Sequence, residues 1–142
     1  LFVELSDAEA IPLRLEMLQE SVMTNPIGGG INIAMKVPSH QYEATIAFYR
    51  DVIGLTPFDD KPPARGFLLG PNRLWIDEAP HYSQAEVWLE LFTPDHEAAF
   101  GHLERNGVVR CDSVEDLGEG FRGGWIMNPA NIVHMLREPD AW

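Results

Sequence analysis

The chain has 142 residues, 45% of them hydrophobic, which is enough for one domain with a core of its own. Ten Lys and Arg against 22 Asp and Glu leave a net charge of −12, and so sparse a basic content excludes a stripe that tracks nucleic-acid phosphates. No run reaches the roughly 20 apolar residues of a membrane span, and the single cysteine, Cys111, excludes an internal disulfide. The opening LFVELSDAEA is acidic where a signal peptide is basic. A cytoplasmic protein bound to neither nucleic acid nor membrane is the expectation. The acidity either keeps the chain soluble or favours a cationic or neutral ligand.

Residues 1–30 read as an appendage. Ile11, Leu15, Leu18 and Val22 fall on one helical face, with Pro12 in the first turn where its missing N–H costs nothing. MTNPIGGG (23–30) follows as a hinge; its glycines lack the Lys and Ser/Thr of a phosphate loop. Residues 31–55 carry the clearest signal. Ile31, Ile33, Met35 and Val37 alternate with Asn32, Ala34 and Lys36, as in a strand with one covered face. Tyr42, Ile46, Tyr49 and Ile53 then recur at helical spacing, with Ser39 as the expected N-cap and Gly54 as the stop.

Short strands are predicted at LTPF (55–58), GFLLG (66–70) and RLWID (73–77), separated by DDKPPAR and GPN. EAPHYSQ (78–84) is a connection, after which the plan restarts. EVWLELF (86–92) is a strand, Thr93-Pro94-Asp95 opens a helix, and Asn106-Gly107 closes it. Three further strands are expected near 109–114, 121–127 and 132–136. The chain therefore contains strand–helix–strand–strand–strand twice, over 31–78 and 86–138.

This plan, with VPSHQYEATIAFYRDVIGL in the first half and NPANIVHMLRE at the end, resembles the glyoxalase / bleomycin-resistance / extradiol-dioxygenase group, the vicinal oxygen chelate superfamily. The resemblance covers 31–142 and implies an α+β fold of two βαβββ modules whose sheets form an open, barrel-like cleft. In that family's enzymes a divalent metal sits there, held by a His on each module's first strand and a Glu on each module's last. Carried over one by one, these positions fall on Asn32, Trp75, Trp88 and His134. None keeps the family's residue, and an indole cannot ligate a metal. The resemblance also implies a homodimer.

With Ile31, Ile33, Met35 and Val37 on the helix side, alternation turns Asn32 and Lys36 to the cleft. The same rule turns Trp88, Glu90 and Phe92 there from the second module's first strand, and Arg73, Trp75 and Asp77 from the first module's last. His134 follows from the closing strand, as a hydrogen-bonding partner or catalytic general base; the plainer alternative is a core histidine satisfied by a carbonyl. Likewise the tryptophans either line an open pocket or fill a closed core. Cys111 on a strand reads as a small buried hydrophobe, and the glycines of GEGFRGGW (118–125) suit a hairpin or a flap. The functional expectation is a metal-independent protein that binds an organic ligand, planar or cationic, with no cofactor. The alternative is a metal-dependent lyase, isomerase or dioxygenase whose divalent metal is held by His134, Glu90 and Asp77.

Overall fold

A computed structural model describes residues 27–58 and 65–141. The helix expected over 11–22 lies outside the described residues, as do residues 59–64 of the DDKPPAR turn. No helix among the described residues is long and apolar enough to cross a membrane.

The first module runs β1 (Gly28–Gly29), β2 (Asn32–Val37), α1 (Ser39–Ala47), a π-helical extension (Phe48–Ile53), β3 (Pro57–Phe58), β4 (Arg65–Leu69) and β5 (Asn72–Glu78). The second runs β6 (Glu86–Phe92), α2 (His96–Arg105), β7 (Val109–Arg110), a 3-10 turn (Asp112–Val114), β8 (Gly123–Met127) and β9 (Val133–Arg137). The strands form one open mixed sheet in the order β3-β4-β5-β2-β6-β9-β8-β7, with β1 on the edge of β6. β2 lies parallel to β5 and β6 parallel to β9, and the modules join where β2 runs antiparallel to β6, Ala34 opposite Trp88. The architecture is α+β, two βαβββ units side by side.

Three apolar clusters hold it. Under α1, Ile46 packs on Val37, Phe67, Leu74 and Ile76. Under α2, Ala99 and Phe100 pack on Ile126 and Leu136. On the opposite face Trp88, Trp125, Val133 and Met135 form the third. Period-2 alternation divides β5 between these faces: Leu74 and Ile76 go to the helix, Trp75 and Asp77 away from it.

Local signals end the elements as their chemistry requires. Gly54 closes the first helix at φ 79°, a left-handed conformation that suits glycine, and its N–H donates to the Tyr49 carbonyl at 3.0 Å. Asp95 caps α2 by accepting from the Ala98 N–H at 3.2 Å. Three expectations need correction. Pro38, not Ser39, occupies the N-cap of α1; Ser39 stands one residue inside and its hydroxyl donates to Glu78 at 2.7 Å. The strand expected over 109–114 stops at Arg110, because Asp112 leaves the ladder to accept from the Trp125 N–H at 2.9 Å, and Cys111 lies half-buried beyond the strand end. Gly28 and Gly29 of the expected hinge are a strand paired with Phe92 and Leu91.

That last pairing creates a kink. Between Gly29 and Ala34 the chain takes five steps while β6, from Leu91 to Trp88, takes three. The N–H groups in the bulged stretch lose their ladder partners, and Glu90 supplies new ones. Its backbone carbonyl accepts from the Gly30 N–H at 2.9 Å, and its carboxylate accepts from the N–H groups of Ile31 (3.0 Å) and Asn32 (3.2 Å). Gly30 must be small here, since a Cβ would come within 2.6 Å of the Glu90 side chain.

A candidate ligand cleft between the modules

The face of the sheet away from the helices is hollowed, over the β2–β6 seam, by a cavity of about 480 Å³. Asn32, Ala34 and Lys36 reach it from β2, Arg73, Trp75 and Asp77 from β5, and Trp88 and Glu90 from β6. The second module adds Trp125, Met135 and Arg137, and Glu115 arrives from the loop after the 3-10 turn.

Two polar clusters flank an aromatic middle. At one end Glu90 and Arg137, both side chains about 95% buried, pair at 2.9 Å. The Asn32 amide donates to both Glu90 oxygens (3.2 and 3.0 Å), while its own carbonyl accepts from the Trp75 indole at 2.8 Å. One carboxylate thus orients an amide that in turn fixes an indole across the module boundary. At the other end the Lys36 ammonium contacts Asp77 (2.9 Å) and Glu115 (3.3 Å) and lies 4.2 Å from the Trp88 ring centre. Burial alone pushes the Lys36 pKa down, but hydrogen bonding and charge from Asp77, with the charge of Glu115, outweigh it and hold the pKa above its ordinary value. Between the clusters, Trp88 and Trp125 meet edge to face at 5.1 Å, as do Trp75 and Phe58 at 4.6 Å.

The sequence-derived candidates separate cleanly. Asn32, Lys36, Arg73, Trp75, Asp77, Trp88 and Glu90 surround the cavity. Phe92 does not line it and instead lies under the Arg137 guanidinium, 4.7 Å from ring centre to charge. His134 is on the wrong face: it neighbours Leu136 of the α2 cluster in alternation, and its Nδ1 lies 3.0 Å from the Ile132 carbonyl. The cause is the turn. β4 and β5 are joined across Leu69 and Asn72 by two residues, whereas Met127 and Val133 are joined by five, so counting from Asn131 stops one residue short and inverts the face. Met135 holds the cleft position. A trio of His134, Glu90 and Asp77 is therefore not assembled. Cys111 packs, half-buried, against the Trp88–Trp125 cluster, where burial, then the charge of Asp112, pushes its thiol pKa up and disfavours the thiolate.

No protein-family model matches the sequence, and no curated protein does. Solved structures are more informative. The Mn(II)-bound glyoxalase from Novosphingobium aromaticivorans superposes with a TM-score of 0.55 at 17% identity over 80% of this chain. Methylmalonyl-CoA epimerase from Mycobacterium tuberculosis gives 0.53 at 16% over 82%, and a glyoxalase/bleomycin resistance protein/dioxygenase superfamily member from Vibrio splendidus gives 0.50 at 10% over 75%. This chain has the vicinal oxygen chelate fold. It spans 39% of the Novosphingobium glyoxalase, but 91% and 97% of the other two chains.

The cleft of a vicinal oxygen chelate fold invites a divalent ion, and the residues present do not fit one. The four positions carry Asn32, Trp75, Trp88 and Met135: one amide, two indoles and a thioether. Hard divalent cations want several converging oxygen or imidazole donors. Among the described residues no three His, Cys, Asp or Glu side chains cluster to hold one. The carboxylates that do reach the cavity are engaged, Glu90 by Arg137, and Asp77 and Glu115 by Lys36.

Proposed function

We propose that this chain binds a small organic molecule in the tryptophan-lined cleft without the help of a metal ion. The observation that carries the reading is the replacement of a donor set by aromatic walls around an open space. Its volume falls inside the roughly 300–1,000 Å³ of small-molecule sites, and the half-buried Trp75 offers rigid aromatic contact area beside a floor that the buried Trp88 and Trp125 stiffen. Glyoxalase and epimerase activities belong to the structural neighbours; in this chain Asn32, Trp75, Trp88 and Met135 border a ligand-sized hollow, a lining that supports binding without a metal. Sequestration of a ligand is the role that this arrangement supports best.

Screening a small-molecule library against chelator-treated protein, with quenching of tryptophan fluorescence as readout, tests the proposal. Saturable quenching that weakens in Trp75→Leu supports it. A library that yields no saturable ligand, or one whose quenching is unchanged in Trp75→Leu, counts against it.

A further inference from the structure

We propose that the segment 11–22 of this chain packs its apolar stripe into a groove on the helix side of the sheet, over β6. Topology makes the groove. β6 is an interior strand, with β2 on one edge and β9 on the other. α1 lies over β5 and β2, and α2 packs on Ile126 of β8 and Leu136 of β9, so β6 runs between the two helices. Alternation puts Val87, Leu89 and Leu91 on its helix side. Leu91 joins the α2 cluster, but Val87 and Leu89 are 37% and 39% exposed. Leu89 borders the cavity as well, across the strand. Half-buried Met35 stands abreast of Val87, and half-buried His134 abreast of Leu89, on the strands to either side. On the cleft side the same strand is closed, with Trp88 4% and Glu90 8% exposed. An interior strand with apolar residues on both faces has the composition of one covered on both. The described residues supply only one of those covers.

The chain itself carries the matching surface. Ile11, Leu15, Leu18 and Val22 share one face of the helix read from the sequence. The described chain starts at Ile27, which packs into the α2 cluster on the helix side, and Gly28 then pairs with Phe92 at the end of β6. What precedes Ile27 therefore arrives beside one end of the groove. The roughly five-residue step from Val22 to Ile27 reaches about 17 Å at most, which tethers the stripe within range of β6. A helix over 11–22 is about 18 Å long, and the seven residues of β6 extend about 23 Å, so the stripe fits the length of the exposed strand. A second copy of the chain is the competing cover. It would bring another charge of −12 against this one, whereas a segment on a short tether acts at an effective concentration in the millimolar range.

The test is the rate at which a maleimide modifies Val87→Cys in the full chain, with Cys111→Ser removing the natural thiol. Leu15→Asp/Leu18→Asp puts charge on the stripe and should speed labelling at least about tenfold. Met17→Asp adds charge off the stripe and should leave the rate within about twofold. Leu18→Ala, which keeps helix propensity, should speed labelling by about threefold in a chain whose tryptophan emission is unchanged, so the proposal stands or falls even where the double variant fails to fold. None of these rates should depend on protein concentration. Equal rates in the stripe variants and in Met17→Asp overturn the proposal: equally fast labelling leaves the groove uncovered, and slow labelling released only by dilution gives it to a second copy.

Discussion

Replacing Glu90 by glutamine removes one charge and almost no volume, yet it should be among the most damaging single changes in the chain. The carboxylate accepts from the N–H groups of Ile31 and Asn32, from the Asn32 amide and from Arg137. A glutamine oxygen can keep the bonds to the kink. Its amide nitrogen, however, must then face the Arg137 guanidinium, donor against donor, at a site where the two side chains are only 4% and 5% exposed. Arg137 keeps the carbonyls of Glu138 and Pro139 (3.2 and 2.8 Å) but loses the Glu90 counter-charge, and breaking a buried pair costs about 3–5 kcal/mol, a large share of the roughly 5–15 kcal/mol that holds a domain folded. For a chain of this length that lowers the unfolding midpoint by about 10–15 °C. The assay is urea unfolding followed by tryptophan fluorescence, with Arg137→Met and the double variant alongside. Because a methionine in place of Arg137 leaves no stranded charge, the double variant should be more stable than Glu90→Gln alone by at least about 1 kcal/mol. A cost below about 1 kcal/mol for Glu90→Gln, or simple additivity of the two changes, refutes the argument that Arg137 holds the Glu90 carboxylate in place against the kink of the first module.

Gly30→Ala should destabilise by about 1–3 kcal/mol in the same assay, because the new methyl group meets the Glu90 side chain at 2.6 Å. Asp95→Ala, which removes the cap on the Ala98 N–H, should cost about 0.5–2 kcal/mol and Asp95→Asn much less. Lys36 sets an alkaline limit. Its folded pKa lies above the ordinary 10.5, so the ammonium's contribution is fully present below the unfolded value and disappears as pH rises through the folded one. The stability gap between the natural protein and Lys36→Met should therefore hold at about pH 8 and close as pH rises through the folded pKa; a gap that widens with pH contradicts the assignment.

Much of this was legible in the sequence, and the failures have physical causes. The alternation in 31–37 and 86–92 brought Asn32, Lys36, Trp88 and Glu90 to the cleft, because side chains on a strand alternate strictly. It misplaced Phe92 and missed Ile31 and Leu89, which also border the cavity, and in β6 it is the cleft side that is buried while Val87 and Leu89 are exposed. Near strand ends and turns that logic weakens. A five-residue connection in place of a two-residue one put His134 where Met135 belongs. Trp125 escaped notice because glycines at 123 and 124 hide the pattern of β8, and Glu115 because it arrives from a loop with no periodicity. Arg137 was within reach: a buried acid such as Glu90 calls for a buried base, and Arg137 stands at the end of the last strand. The pairing of Gly28 and Gly29 with β6 had no signal, since two glycines in sequence look like a hinge whether or not a ladder takes them.

The central claim is that the vicinal oxygen chelate cleft of this chain recognises its ligand through aromatic walls and without a metal. Its most direct test is a calorimetric titration of the strongest ligand from the tryptophan-quenching screen into chelator-stripped protein, repeated after incubation with excess Mn(II). The account predicts the same affinity in both titrations and no stoichiometric Mn(II) retained after dialysis. Binding that appears only in the Mn(II)-treated protein, with about one ion retained per chain, would contradict it.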